Sequence, residues 1–286
     1  MSESSSKSTS RPADSGESVD PVPQTIEGFY ILHDVYALDW ERWRAETPEH
    51  RHAIIESARS WLEGMQGASR GDSAMYSVLS QKGDLMFVHY RETPDALSEA
   101  EFALRKLELN DFLIPSYSYF SVIEVSLYEI TAIATGRVVR SGLERGTKEF
   151  DEAFAVEMQR QREHMNTRLY RDVPPHRYIC FYPMDKKRGE QVNWYTLSLD
   201  ERRAMMRKHG SIGHKYHETV TQVIAGSVGL DDWEWGVSLH SDDMLIFKKL
   251  IYEMRFDPAS ALFAEFGPFY LGIRQDPAEL GALLSV

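Results

Sequence analysis

A single cysteine, Cys180, stands in 286 residues. One thiol forms no intrachain disulfide and cannot build a cysteine-based zinc or iron–sulfur site. Long apolar runs are missing too: no stretch approaches the roughly 20 residues that a bilayer-spanning helix requires. The N-terminus has no basic region followed by an apolar one, which reads against a secretory leader. Positive charge is scarce, with 32 Lys and Arg against 44 Asp and Glu, a formal net charge of −12. That balance argues against a nucleic-acid groove and an anionic membrane surface, yet leaves room for a local basic pocket that takes an anionic ligand. The expectation is a soluble protein of a reducing compartment, the cytoplasm, with neither nucleic acid nor membrane as partner.

What is there suffices for one large core or for two of about 100–130 residues. Residues 1–24 are Ser, Pro and acid with almost nothing to bury, and read as a disordered tail. "IEGFYILHDVYAL" reads as a strand, followed by one helix around Asp39–Gly64 whose apolar face holds Trp40, Trp43, Ile54, Ile55, Ala58 and Leu62. "AMYSVLSQKGDLMFVHYRE" has the form of a hairpin turning at Lys82–Asp84. Thr93-Pro94 opens the next helix, and "YSYFSVIEVSLYEI" closes the half as a strand. The second half repeats the order: strand "HRYICFYPMDKK", helix "SLDERRAMMRKHGSIGHKY", a hairpin turning near Gly229–Asp232, helix "MLIFKKLIYEMRF" and strand "GPFYLGI". Two such units predict an α+β fold of two ferredoxin-like βαββαβ domains, 25–134 and 173–286, packed as a dimeric α+β barrel and joined by a charged connector at 135–172.

Histidines cluster in "MMRKHGSIGHKYHE". "SLDE" upstream reads as a capping box, with Ser198 as N-cap and Glu201 three residues on. A helix started there puts Met205, His209, Ile212 and Tyr216 on one stripe, with His214 about 140° and His217 about 80° round from His209. Only His209 sits in the apolar face, where it is either a satisfied core histidine or a ligand. Tyr182 falls at a strand end where its hydroxyl can face a cavity. Pro183 is expected to stop the ladder, so that Met184 and Lys186 leave the sheet together. Gln222 shares a face with Val220 and Ile224, either paired within the sheet or aimed at a ligand. Arg168 and Ser260 read by themselves as an ordinary surface charge and a polar residue in a last helical turn. In combination they say more: one histidine suffices as an axial ligand of heme iron, and Tyr, Lys, Arg and Ser supply donors suited to propionates.

The segments "CFYPMDKKRGEQVNWYTLSLDERRAMMRKHGSIGHKY", "QVIAGSVGLDDWEWGVSLHSDD" and "FKKLIYEMRFDPASALFAEFGPFYLG" resemble the coproheme decarboxylase branch of the chlorite dismutase family. The likeness is close over 168–273, looser over 25–135 and absent in the tail. It implies that His209 is the proximal iron ligand and Tyr182 the radical-bearing tyrosine. Lys186, Arg168 and Ser260 become propionate contacts, and Met184 lines the macrocycle. Gln222 occupies the position of the distal arginine of true chlorite dismutases, and glutamine supplies no charge there. The implied reaction is hydrogen-peroxide-dependent decarboxylation of iron-coproporphyrin III (coproheme) to heme b, with coproheme as both substrate and redox cofactor. A coproporphyrin ferrochelatase as donor and a homopentamer come with the same resemblance. The competing readings are a chlorite dismutase or peroxidase, and a non-catalytic heme carrier or sensor on this fold. His50 and His52 in the first half have no Tyr-Pro-x-x-Lys segment beside them, so one site per chain is expected.

Overall fold

Backbone pairing, more than helix packing, organises this chain. The computed structural model describes residues 22–67, 71–125 and 127–286; the tail expected at 1–24 lies, up to residue 21, outside the described residues. The first half contains β1 (Glu27–Leu38), α1 (Trp40–Ala45), α2 (Pro48–Met65), β2 (Gly71–Val78), β3 (Leu85–Arg91), α3 (Pro94–Arg105) and β4 (Leu113–Glu124). Helices α4 (Leu127–Arg140), α5 (Lys148–His164) and the single turn α6 (Asn166–Leu169) connect the halves, and α4 runs across position 134. The second half contains β5 (Tyr178–Lys186), α7 (Leu199–Lys215), β6 (Thr221–Gly226), β7 (Trp235–Ser241), α8 (Met244–Met254), α9 (Pro258–Ala261), β8 (Ala264–Phe266), β9 (Tyr270–Gln275) and α10 (Leu280–Leu283). No described helix is long and apolar enough to cross a membrane.

Each half has the same internal strand order, β4-β1-β3-β2 in the first and β6-β7-β5-β9 in the second. The two sheets also join at both edges. Val122 and Ile123 of β4 pair with Gly226 and Ala225 of β6, and Met75–Val78 of β2 pair with Gln275–Gly272 of β9. Every pairing is antiparallel, and the result is a closed barrel with β8 added beside the end of β5. Closure removes the unpaired edges that two separate sheets would present.

Alternation along the strands then assigns three cores. Ile31, Val35, Tyr76, Val88, Phe181 and Val223 fill the barrel. Outside the first half, Leu85 and Phe87 pack on Trp43, Ile54, Ala58 and Leu62, together with Leu280 and Leu284 from the C-terminal end. Outside the second half, Cys180, Tyr182 and Leu239 pack on Ile212 of α7 and on Phe247, Leu250 and Met254 of α8.

Three local expectations change. The single helix read at 39–64 is two, because Thr47 before Pro48 is extended (φ −69°, ψ 151°) and caps α2 by accepting from the His50 N–H at 3.2 Å; the residue before proline avoids the helical region. Pro183 does not end β5. On that side the strand pairs with β9 up to Phe181 and with β8 from Met184, so the missing N–H of Pro183 falls in the gap between two partners. The C-terminal turns after β9, not read from the sequence, place α10 on the first half, where the Trp43 indole N–H donates to the Leu284 carbonyl at 2.8 Å.

Candidate functional site

Helix α7 forms with the predicted capping box: Ser198 Oγ accepts from the Glu201 N–H, and the Glu201 carboxylate accepts from the Ser198 N–H at 2.9 Å. The predicted stripe faces inward. Ile212 is buried and Met205, His209 and Tyr216 are partly so, while His214 and His217 are exposed. Between α7 and the sheet lies a cavity of about 670 Å³, lined among others by Arg168, Arg171, Met184, Lys186, His209, Gln222 and Ser260. Its size is that of a small-molecule site.

His209 is oriented by a group that the sequence reading passed over. Its Nδ1 lies 2.7 Å from Oδ2 of Asp257, a residue with no exposed surface. A carboxylate facing Nδ1 accepts its hydrogen bond and turns Nε2 into the nitrogen that a metal would take, the arrangement of a metal-ligating imidazole. Asp257 is fixed in turn as the cap of α9, accepting from the Ser260 N–H and Oγ, each at 3.2 Å. Ser260 therefore supports the Asp257 carboxylate as well as lining the cavity. "DPAS", with Asp as N-cap and Pro at N1, was the available signal.

Lys186 is 7% exposed; its ammonium donates to the Ala259 carbonyl at 3.0 Å and lies 4.6 Å from the centre of the Trp194 ring. Burial, opposed by the nearby Asp257 and Glu234 carboxylates, brings its pKa down to about 8. Gln222 reaches towards α7, its amide 3.4 Å from the Gly213 carbonyl. His214 and His217 stack on each other at 4.4 Å on the rim, and neither has a buried carboxylate beside it among the described residues. Trp194, Tyr128, Trp235 and Glu124 also line the cavity, and none of them was singled out from the sequence.

Tyr182 is the exception. It shares the β5 face of Met184 and Lys186 but does not line the cavity. It is 4% exposed, and its ring stacks 4.6 Å from Phe269 and lies 5.8 Å from Phe266. Alternation fixes the face of a strand residue but not which aromatic neighbours its ring meets, here Phe269 and Phe266.

The family model for chlorite dismutase matches residues 51–275. The chain belongs to the chlorite dismutase family. Within that family it is similar to a protein of Natronomonas pharaonis named for heme binding, 41% identical over 266 residues that make up 92% of this chain and 42% of that protein. The chain thus spans less than half the length of this relative. A solved heme-binding protein from Thermus thermophilus is 37% identical, with a TM-score of 0.79 over 94% of this chain and 99% of that one. A chlorite dismutase variant from Candidatus Nitrospira defluvii shares the fold at 19% identity, with a TM-score of 0.68 over 91% of this chain and 96% of that one.

Residues around the cavity fit an iron tetrapyrrole with carboxylate side chains. His209 offers a free Nε2. The Nε atom of Arg171 is buried without a hydrogen-bond partner among the described residues, as a cation awaiting an anion would be; Arg203, which also lines the cavity, is already paired with Glu129 and Asp200. Met184, Met206 and Met254 supply pliable apolar lining.

Proposed function

We propose that the protein binds coproheme and converts it, with hydrogen peroxide, to heme b. The observation that carries this reading is the pairing of His209 with the buried Asp257 on the wall of a cavity that also holds Lys186 and the unpartnered Nε of Arg171. His209 Nε2 would hold the iron, held in line by Asp257. Arg168, Arg171 and Lys186 would meet propionates, and the methionines would pack the ring. Bound coproheme is the substrate, and its iron with peroxide supplies the oxidising equivalents. Each reacting propionate gives up one hydrogen atom, one electron and CO₂ to become a vinyl, a two-electron oxidation that consumes one peroxide. Tyr182, as a phenoxyl radical, would take the hydrogen atom. The resemblance adds a homopentamer, to be read by light scattering.

A second reading, a heme carrier without chemistry, is favoured by the packing of the Tyr182 ring against Phe266 and Phe269, which are not among the residues that line the cavity. One experiment separates the two: purified protein, coproheme and peroxide are mixed and the tetrapyrrole is followed by mass spectrometry. Loss of two carboxyl groups is expected. Tight binding with coproheme left intact would replace the enzyme by the carrier.

A further inference from the structure

The roles assigned above use no carboxylate on the sheet wall of the cavity, yet one is built into it. Glu124 ends β4 and lines the cavity beside Gln222, Ile224 and Trp235, across from the helix that carries His209. The Trp235 indole N–H donates to Glu124 Oε1 at 2.8 Å. Next to it β6 carries glycine, and a Cβ at Gly226 would stand 2.3 Å from Oε2 and 2.5 Å from the carboxyl carbon. So β7 orients the carboxylate and β6 leaves the space that it fills.

Glu27 of β1 lies opposite in register, its own carboxylate 3.5 Å from Arg162 of α5. Tyr128 and Glu129 face the same cavity from α4, and Arg203 from α7, the last paired with Glu129 at 3.7 Å. No described cation bonds to Glu124. Burial raises its pKa above the ordinary glutamate value; the Trp235 hydrogen bond opposes this and Glu27 adds to it. A carboxylate in that condition is a better base than a solvated one.

We propose that Glu124 is the acid–base residue of the cavity, taking the proton of a weak protic ligand, above all hydrogen peroxide, that enters between the sheet wall and His209. The peroxide O–H breaks, its proton goes to the Glu124 carboxylate, and the electron pair stays on oxygen as hydroperoxide anion, the form an iron held by His209 takes up. Nothing is oxidised or reduced in this transfer. Gln222 beside it has no comparable basicity, and Glu124 is the one carboxylate that the described strands bring to the cavity lining.

The inference rests on tetrapyrrole binding but not on decarboxylation, and its test uses the full chain loaded with ferric coproheme. Stopped-flow association of peroxide, and separately of hydrogen cyanide, which also binds as its anion, is measured against pH. Glu124→Gln is expected to slow peroxide association about 10²- to 10⁴-fold, the usual worth of a positioned base. It should lower the cyanide on-rate and abolish its acid limb, while affinity for coproheme and for metal-free coproporphyrin stays unchanged. Trp235→Phe, by removing a donor to the carboxylate, moves the acid limb to higher pH, which a merely structural role would not do. Gly226→Ala, which keeps the carboxylate but crowds it, serves if the first variant misfolds, and should slow both ligands. Wild-type rates and pH profile in Glu124→Gln, or a loss of coproporphyrin affinity that accounts for the slower rate, would overturn the assignment. Wild-type protein that binds cyanide in a Glu124-dependent way but leaves coproheme intact would end the decarboxylase reading and keep this one. Absence of any tetrapyrrole binding would end both.

Discussion

At the scale of residues, the carboxylate on Nδ1 separates one histidine of α7 from its two neighbours. The helical arithmetic places His209 on the inward stripe but cannot tell a core histidine from a ligand. Asp257, forty-eight residues later, makes that distinction, and no local pattern ties the two together. Loaded with coproheme, His209→Ala is expected to shift the Soret band and weaken binding, while His214→Ala and His217→Ala leave both nearly intact; equal effects from all three would remove His209 as ligand. Tyr182→Phe keeps the ring and its stacking, so coproheme should bind and heme b should fail to form, and normal heme b from this variant would end the radical role. Lys186 adds a pH signature. Its charge is present below about pH 8 and lost above, and a bound carboxylate raises that value again. Affinity for metal-free coproporphyrin, read by fluorescence titration, should therefore be flat at lower pH and fall up to about tenfold per pH unit once pH passes 8. In Lys186→Met the bend disappears, and the charge-assisted contact of roughly 1.5–3 kcal/mol is lost throughout. The stability of the unliganded protein moves the other way. The folded pKa lies below the ordinary 10.5, so the cost of burying the charge is relieved as pH rises from about 8 towards that value.

Elements are legible where their signals are local. Ser198 with Glu201, Thr93 before Pro94, and Asp243 ahead of "MLIF" each cap a helix where the sequence pattern starts one. Ser198→Ala should cost about 1 kcal/mol, seen as a lower denaturant midpoint with an unchanged slope; a changed slope would point to more than a lost cap. The failures have a common cause. Thr47-Pro48 disappears into one long apolar stripe because the stripe continues in phase across it. Pro183 reads as a stop because the gap between β8 and β9 is a property of the neighbours, not of β5. The packing of the Tyr182 ring likewise depends on Phe266 and Phe269, which alternation along β5 does not report.

Across the whole molecule, the repeat of strand and helix order reveals two ferredoxin-like units, whereas the seams that close them into a barrel are invisible in it. β4–β6 and β2–β9 join residues more than 100 positions apart through backbone bonds, and backbone bonds leave little mark on side-chain pattern. The seams have a consequence for unfolding. Separate domains would lose structure independently, whereas a closed barrel with α10 of the second half packed on the first ties the two together. Leu280 is fully buried against Trp43 and Ile54, so Leu280→Ala should destabilise by about 2–5 kcal/mol. The loss should be common to both halves. Guanidinium titrations followed by tryptophan emission, repeated with Trp40, Trp43 and Trp61 or with Trp194, Trp233 and Trp235 replaced by Phe, should give coincident midpoints in each background and a common shift with Leu280→Ala. A first-half transition moving alone, with the second-half midpoint unchanged, would show that the β2–β9 and β4–β6 pairings do not couple the halves.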